Sequence, residues 1–144
     1  MANHVYPELV RAIARAELPD LVTVAWTLQC MDGTLLYDPT HTVLANVTGA
    51  ELGDPLVLPT VALIVGAAGG DEVDLDCDDS ALLLTGIASI DTVESMVVYI
   101  DTGNPATSTL GAFLNRRADT SPVLFDGTGS DVVMSFPVGY FIRL

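Results

Sequence analysis

The chain contains no lysine: its five basic residues are all arginine, and they stand against 19 acidic residues, for a formal charge of −14. A protein that binds nucleic acid needs a charge of the opposite sign, because contacts with phosphates dominate that affinity. Histidine and cysteine are also scarce, with two of each in 144 residues. The cysteines, Cys30 and Cys77, belong to no metal-binding or redox spacing, so the sequence predicts neither a zinc site nor a disulfide framework.

Long apolar runs are missing as well. The longest uncharged stretch, residues 55–70, is broken by prolines and glycines and is too short to span a bilayer. The first residues include Pro7, Glu8 and Arg11 where a signal peptide needs an apolar core. We therefore expect neither membrane insertion nor export.

Two explanations of the acidic charge remain open. One is a GC-rich coding sequence combined with a surface that stays soluble through self-repulsion. The other is a high-salt environment, as in a halophilic host, where screening over a few Å tolerates a charge that would destabilise a compact fold in dilute buffer.

The apolar residues that are present follow two different periods. They recur every three to four positions from Pro7 to Leu18, which predicts an amphipathic helix over residues 7–18 behind an N-terminal arm of residues 1–7. After this helix come short strand-like runs separated by turns, of which 21–29 and 72–77 alternate with a period of two and the others are largely apolar. These runs cover residues 21–29, 56–65, 72–77, 81–90, 92–101, 107–115, 130–135 and 140–144. The sequence therefore predicts a mainly β protein, a single β-sandwich or jelly-roll-like domain over residues 1–144 with a short N-terminal α-helix.

Several details of this domain follow from the local pattern. Residues 34–54 are predicted to be mostly loop, and the last two strands are predicted to pair as a closing hairpin. The glycine-rich segment 66–70 lacks the Lys-Ser/Thr of a phosphate loop and runs into acidic residues, so it is predicted to be a tight turn. Trp26, Tyr99 and Phe141 lie in apolar strands and are predicted to be core residues.

No catalytic constellation is visible. A nucleophile normally needs a neighbouring base, and the candidates are only His4, close to the chain start, and His41, in a threonine-rich loop near Asp38. Both histidines are interpreted as surface residues. We expect no catalytic residue and no enzymatic activity.

Three aspartates, Asp74, Asp76 and Asp78, alternate with apolar residues in the predicted strand 72–77. Carboxylates on one strand face can bind a hard cation such as calcium, although the run departs from an EF-hand loop at the required glycine and glutamate. The alternative is a solvated outer face that blocks edge-to-edge aggregation. The sequence therefore predicts no required metal or cofactor. These three aspartates are the candidate ligands if the protein binds calcium.

Three segments together resemble a family of small virion structural proteins of tailed bacteriophages. Residues 1–7 are similar to its "MANxxYP" opening. Residues 94–108 are similar to its "LVxYxDTGxxxTS" signature, and residues 131–144 to its final strand pair ending in "FIRL". Residues 35–70 show little similarity to it.

The resemblance implies a virion component, most plausibly a capsid decoration or cement protein. Its partner would be the major capsid protein, on which it would form a homo-oligomer. It would lie on the capsid exterior after a stay in the host cytoplasm before assembly. Two alternatives remain: a virion protein associated with the tail or a head fibre, and a carbohydrate-binding β-sandwich in which Trp26 and tyrosines form a stacking platform.

The N-terminal arm is the candidate contact with a partner, because such an arm can add backbone hydrogen bonds to a partner's sheet edge. The alternatives are a disordered tail or a strand within its own domain. The candidate contact residues are Ala2, Asn3, His4, Val5, Tyr6 and Pro7.

The two explanations of the charge predict different responses to salt. If the chain is adapted to high salt, its Tm continues to rise with KCl beyond about 1 M, where the Debye length has already fallen to about 3 Å. If the charge serves only solubility, the rise ends when screening is complete. Calorimetry over a KCl series, with NaCl as the control salt, separates the two.

Overall fold

The computed structural model describes residues 3–18, 20–65, 73–78, 82–117, 121–136 and 141–144. Within these residues the protein is mainly β, with several antiparallel sheets in a sandwich-like arrangement and one short N-terminal helix, which confirms the predicted fold class. The elements are β1 (His4–Val5), α1 (Pro7–Ala14), β2 (Trp26–Met31), a 3-10 helix (Leu44–Asn46), β3 (Glu51–Val57), β4 (Ala62–Val65), β5 (Val73–Asp76), β6 (Leu82–Leu84), β7 (Thr92–Val93), β8 (Ser95–Ile100), β9 (Thr109–Leu114), β10 (Phe125–Asp126), β11 (Val132–Met134) and β12 (Ile142–Arg143).

The helix is shorter than predicted. It begins at Pro7 as expected but ends at Ala14, where residues 7–18 were predicted to be helical. Ala16 adopts a left-handed conformation with φ of +52°, and the amide of Glu17 donates a hydrogen bond to the carbonyl of Ala12 at 3.0 Å. This turn ends the helix. Leu18, which extended the apolar pattern, still packs against the core from the following loop.

The largest sheet has five strands in the order β1-β9-β8-β2-β3, and every neighbouring pair is antiparallel. The pairing of β2 with β8 runs without interruption from Trp26 opposite Ile100 to Met31 opposite Ser95. Every residue of both strands is buried. The middle of this sheet is therefore covered on both faces, and alternate residues serve two separate cores.

The inner core lies between this sheet and the smaller sheets, β12-β5-β4 and β11-β6. Strand β8 contributes Met96, Val98 and Ile100 to it. Trp26 of β2 is fully buried at its centre and meets the edge of the Phe141 ring, with ring centroids 5.6 Å apart. The predictions that Trp26, Tyr99 and Phe141 are core residues are confirmed.

The outer core lies on the other face of the same sheet, and the long segment 34–50 covers it. Val97 and Tyr99 of β8 face this side and pack with Val47 and its neighbours. Two backbone hydrogen bonds fix the segment to β9 and the turn before it, from Leu44 N to the Ser108 carbonyl at 2.8 Å and from Leu110 N to the Thr42 carbonyl at 3.0 Å. The predicted loop thus serves as a cover for the sheet.

Several predicted strands differ in extent. The run 81–90 is a strand only at β6, and the run 92–101 is divided between β7 and β8. Strand β3 begins at Glu51, inside the predicted loop 34–54. The run 21–29 begins as a strand only at Trp26, because residues 21–24 form a turn in which the Asp20 carboxylate accepts a hydrogen bond from the Val22 amide. The run 56–65 is divided between β3 and β4. Thr60, between the two strands, has φ of +48°, a conformation that does not continue a strand.

The predicted closing hairpin is wrong. Strand β11 pairs with β6, and β12 pairs with β5, so the last two strands lie in different sheets. The prediction of a turn at 66–70 lies outside the described residues.

We expect Gly111→Ala to lower the free energy of unfolding by about 1–3 kcal/mol, the usual cost of overpacking a core. A Cβ atom at this position would lie 2.7 Å from Cζ3 of Trp26 and 3.1 Å from the carbonyl oxygen of Val98. Urea unfolding followed by the fluorescence of Trp26, the single tryptophan, measures the change.

Gly33→Ala is the matched control for this substitution. Its added methyl group would meet the exposed, flexible carboxylate of Glu94, which can move into solvent. We expect a change within about 0.5 kcal/mol. Equal losses in the two variants would contradict the close packing of Gly111 against Trp26.

Candidate functional site

The N-terminal arm, the candidate contact with a partner, is bound to its own domain from Asn3 onward. The Asn3 carboxamide oxygen accepts hydrogen bonds from the amides of Asn115 at 3.0 Å and Arg116 at 2.9 Å. Its nitrogen donates to the Arg116 carbonyl at 3.1 Å. One side chain thus holds the chain start against the residues that follow β9.

The next residues of the arm complete the five-stranded sheet. His4 and Val5 form β1 opposite Phe113 and Ala112, and Tyr6 is fully buried. Pro7 begins the helix, and Ala2 lies outside the described residues. The arm is therefore a strand within its own domain, which was the alternative to a free arm, and β1 is the outermost strand of the five-stranded sheet.

Asp74 is not available as a calcium ligand, because Arg143 binds it with two hydrogen bonds. The Arg143 Nε lies 2.7 Å from Oδ1 and Nη2 lies 2.8 Å from Oδ2. The Asp74 side chain is 1% exposed. The hydrogen bonds from Arg143, with the attraction of its charge, hold the pKa of the Asp74 carboxyl below its usual range despite burial.

Asp74, Asp76 and Asp78 therefore do not form the solvated row of carboxylates that the period-two pattern indicated. Asp76 is half-buried and Asp78 is exposed, while Asp74 is covered. Among the described residues no group of three or more His, Cys, Asp or Glu side chains is arranged to hold a metal ion. The structure leaves the proposed calcium site without one of its three ligands.

The two histidines lie beside neighbouring residues, His4 against Tyr37 and His41 near Asp38. The sequence indicated the second of these contacts but not the first. The His4 ring stacks on the Tyr37 ring with centroids 4.2 Å apart and planes 12° apart. Tyr6 packs against the same ring at 5.3 Å. Nε2 of His41 lies 3.9 Å from a carboxylate oxygen of Asp38. No spacing in the sequence relates residues 4–6 to residues 37–41, because the fold brings them together through β9.

This cluster provides packing more than reactivity. Burial, with the charge of Asp38 as a smaller cause, raises the pKa of the Tyr6 phenol well above its usual value, so the hydroxyl stays protonated. The Asp38 carboxylate accepts hydrogen bonds from the amide and hydroxyl of Thr40 at 2.8 and 2.7 Å, which lowers its pKa. His41 is the candidate base, and these contacts do not place a nucleophile beside it.

The turn that carries the "DTGxxxTS" signature uses its polar side chains internally. The Asp101 carboxylate accepts a hydrogen bond from the Gly103 amide at 2.8 Å, and Gly103 has φ of +78°. The fully buried Ser108 donates to the Asn104 carbonyl at 3.0 Å and accepts from the Thr102 amide at 3.1 Å. These residues shape the connection between β8 and β9.

An open groove of about 490 Å³ lies at one end of the sheet, between the turn at Asp32 and the loop at Asp91. Two of its three carboxylates serve local turns: Asp32 accepts from the Thr34 amide at 2.8 Å, and Asp91 accepts from the Ala88 amide at 3.2 Å. The third, Glu94, is exposed. Ile90, on its rim, is almost fully exposed. The groove therefore offers negative charge and an apolar rim but no converging reactive groups.

Comparison of the chain with protein-family models, with curated proteins and with solved structures finds no match in any of the three. Within the part of the chain that the structure describes, no helix has the length and apolar character needed to cross a membrane.

We expect Tyr6→Ala to lower the free energy of unfolding by about 3 kcal/mol or more, because it removes a fully buried aromatic ring. Val10→Ala, on the exposed side of α1, is the control and should change stability by less than about 1 kcal/mol. Chemical unfolding of both variants measures this. An arm free in solution would instead make Tyr6→Ala as mild as the control.

We expect Asp74→Asn to destabilise the protein by about 3 kcal/mol at pH 7, the lower end of the cost of breaking a buried pair, because a third of Arg143 is exposed. The Asp74 pKa is lowered on folding, so this contribution is complete above the unfolded pKa of about 3.9 and is lost as the pH falls through the folded pKa. The difference between wild type and variant should therefore shrink below about pH 4.

Asp76→Asn, two residues along the same strand, is the control for this measurement. We expect its effect to stay within about 0.5 kcal/mol. A difference between wild type and Asp74→Asn that persists unchanged at pH 2 would show that the charge of Asp74 is not the cause.

Proposed function

We propose that the protein is a capsid decoration (cement) protein of a tailed bacteriophage, which binds the outer surface of the mature capsid lattice and stabilises it without an enzymatic role. In this proposal its direct partner is the major capsid protein. It acts from the exterior of the particle, after a period in the host cytoplasm before assembly.

The observation that carries the proposal is the arrangement of the three segments that resemble phage virion proteins. All three meet at β9. Strand β1, from the first segment, and β8, from the second, pair with β9 on opposite sides. From the third segment, Cδ1 of Ile142 lies 3.1 Å from where a Cβ on Gly111 would be. The three segments therefore form one connected framework around β9, and this adjacency supports the proposal.

The distribution of charge supports an exterior position. Arg11, Arg15 and Arg143 are each paired with a carboxylate of the same chain, so they are not positioned to bind phosphates. The remaining acidic surplus gives the surface the sign that DNA repels. Such a surface suits the outside of a shell better than its DNA-filled interior.

The mechanism requires only adhesion. Apolar area buried between the protein and the lattice contributes about 25 cal/mol per Å², and it opposes separation of capsid subunits under the pressure of packaged DNA. A modest contact becomes effective because it is repeated on every equivalent site of the shell.

The carbohydrate-binding alternative loses the feature that suggested it. Trp26 and Tyr6 are fully buried and Tyr99 is nearly so, so these rings cannot form an exposed stacking platform. The tail or head-fibre alternative shares the same structural support and differs from the cement proposal in the number of copies per particle.

Quantitative mass spectrometry of purified virions tests the proposal. We expect hundreds of copies per particle. We also expect particles lacking the gene to release DNA at a lower temperature than wild-type particles, and adding the purified protein to restore the wild-type release temperature. The physical reason is that bound copies stabilise the closed shell by mass action.

The copy number of a tail protein in the same virions serves as the internal standard. A handful of copies would replace the cement proposal with the tail or fibre alternative. Virions without the protein, or turnover of a small compound by the purified chain, would overturn the proposal.

A further inference from the structure

We propose that two copies of this chain associate through β4, whose outer edge pairs antiparallel with the same edge of the second copy. The inference deepens the proposed function, on which it rests for its biological role, by naming the contact between neighbouring copies on the shell. The contact between the two β4 strands forms in the isolated protein and does not require a capsid.

Strand β4 is the outermost strand of the sheet β12-β5-β4, so among the described strands it has a partner on one side only. All four of its residues, Ala62–Val65, are exposed. Its side chains are apolar on both faces of the sheet, a pattern typical of strands that are covered on both faces and paired on both edges. Val65 is 76% exposed, which is high for such a residue.

The edge of β4 also lacks the features that protect exposed edges in monomeric proteins. It contains no charge and no proline, and its register with β5 is continuous from Ala62 opposite Asp76 to Val65 opposite Val73. The edge strand β3 has all three protections: the charged Glu51 and Asp54, Pro55, and a break in register with β2.

The other edges are shorter or partly covered. Strands β1 and β12 have two residues each. In β11, Val132 and Met134 pack against the inner core, so only Val133 is exposed. Strand β4 is therefore the edge in the described structure that most needs a covering strand.

The lack of charge along β4 makes this strand the place where a second copy can approach. The chain carries −14, so two copies repel each other over most of their surfaces, yet residues 55–70 contain no charged residue. Strand β5, next to β4, carries two carboxylates: that of Asp74, opposite Ile64, is paired with Arg143, and that of Asp76, opposite Ala62, is half-buried. Like-charged molecules can approach closely only along such a neutral strip, whereas a basic partner would favour the acidic surfaces elsewhere.

The pairing would join two three-stranded sheets into one about a two-fold axis, so the same residues meet on both sides. Leu63 and Val65 lie on the face that Leu75 shares and would extend the apolar contact across the axis. Four residues bury less than the roughly 800 Å² per partner of a stable complex. The dimer is therefore weak in solution and is favoured by the high local concentration of copies on a shell.

Single cysteines at Ala62, Leu63, Ile64 and Val65, introduced one at a time, test this contact by oxidation of the purified protein without particles. The chain's own cysteines are buried and do not interfere. We expect at least one position to form the disulfide-linked dimer about tenfold faster than Val133→Cys, because pairing raises the effective thiol concentration. The exposure of this control, 74%, matches that of Val65 and exceeds those of Leu63 and Ile64.

Leu63→Lys provides a second measurement that requires no crosslink. We expect sedimentation of the wild type to show association that increases with concentration, lost in Leu63→Lys and retained in Val133→Lys, with circular dichroism showing that all three are folded. Crosslinking no faster than the control at all four positions, or unchanged sedimentation of Leu63→Lys, would overturn the dimer. Because these experiments use no capsid, binding to particles could still succeed, and the two failures are distinguishable.

Discussion

Three adjacent strands, β2, β8 and β9, are buried on both faces, and the other elements are arranged to keep water from them. The inner face is covered by the smaller sheets through Trp26 and Phe141. The outer face is covered by segment 34–50 and by Tyr6 from the arm. Because a sheet buried on both faces exposes no polar side of its own, the functional surfaces must come from the edges, turns and covering segments.

The same requirement explains why the candidate residues of the arm are structural. Tyr6 fills the outer core, and Asn3 binds backbone groups beyond β9. Asp74 likewise contributes its charge to a pair inside the sheet through Arg143. The residues that the resemblance or the charge pattern singled out, Asn3, Tyr6 and Asp74, thus stabilise the fold. Strand β4, which neither singled out, is exposed to solvent.

The sequence pattern predicted which side chains of a strand are buried better than it predicted which strands pair. Alternation placed Trp26 and Tyr99 in the core, and Pro7 marked the start of the helix. Alternation does not determine which strands pair, so β11 and β12 were predicted to pair with each other. Asp74 was assigned to solvent because its partner, Arg143, lies at the far end of the chain. The clustering of His4 with Tyr37 depends on the same long-range pairing and left no local signal.

Both ends of the chain are held by residues distant in sequence: His4 lies opposite Phe113, and Ile142 lies opposite Leu75. During synthesis β1 has no partner until β9 has emerged from the ribosome, and the sheet of β5 is not complete until β12 has emerged. Folding is therefore a late and non-local event, of the kind that proceeds slowly. Until then the apolar strands remain exposed to other chains, which makes premature association a risk during folding.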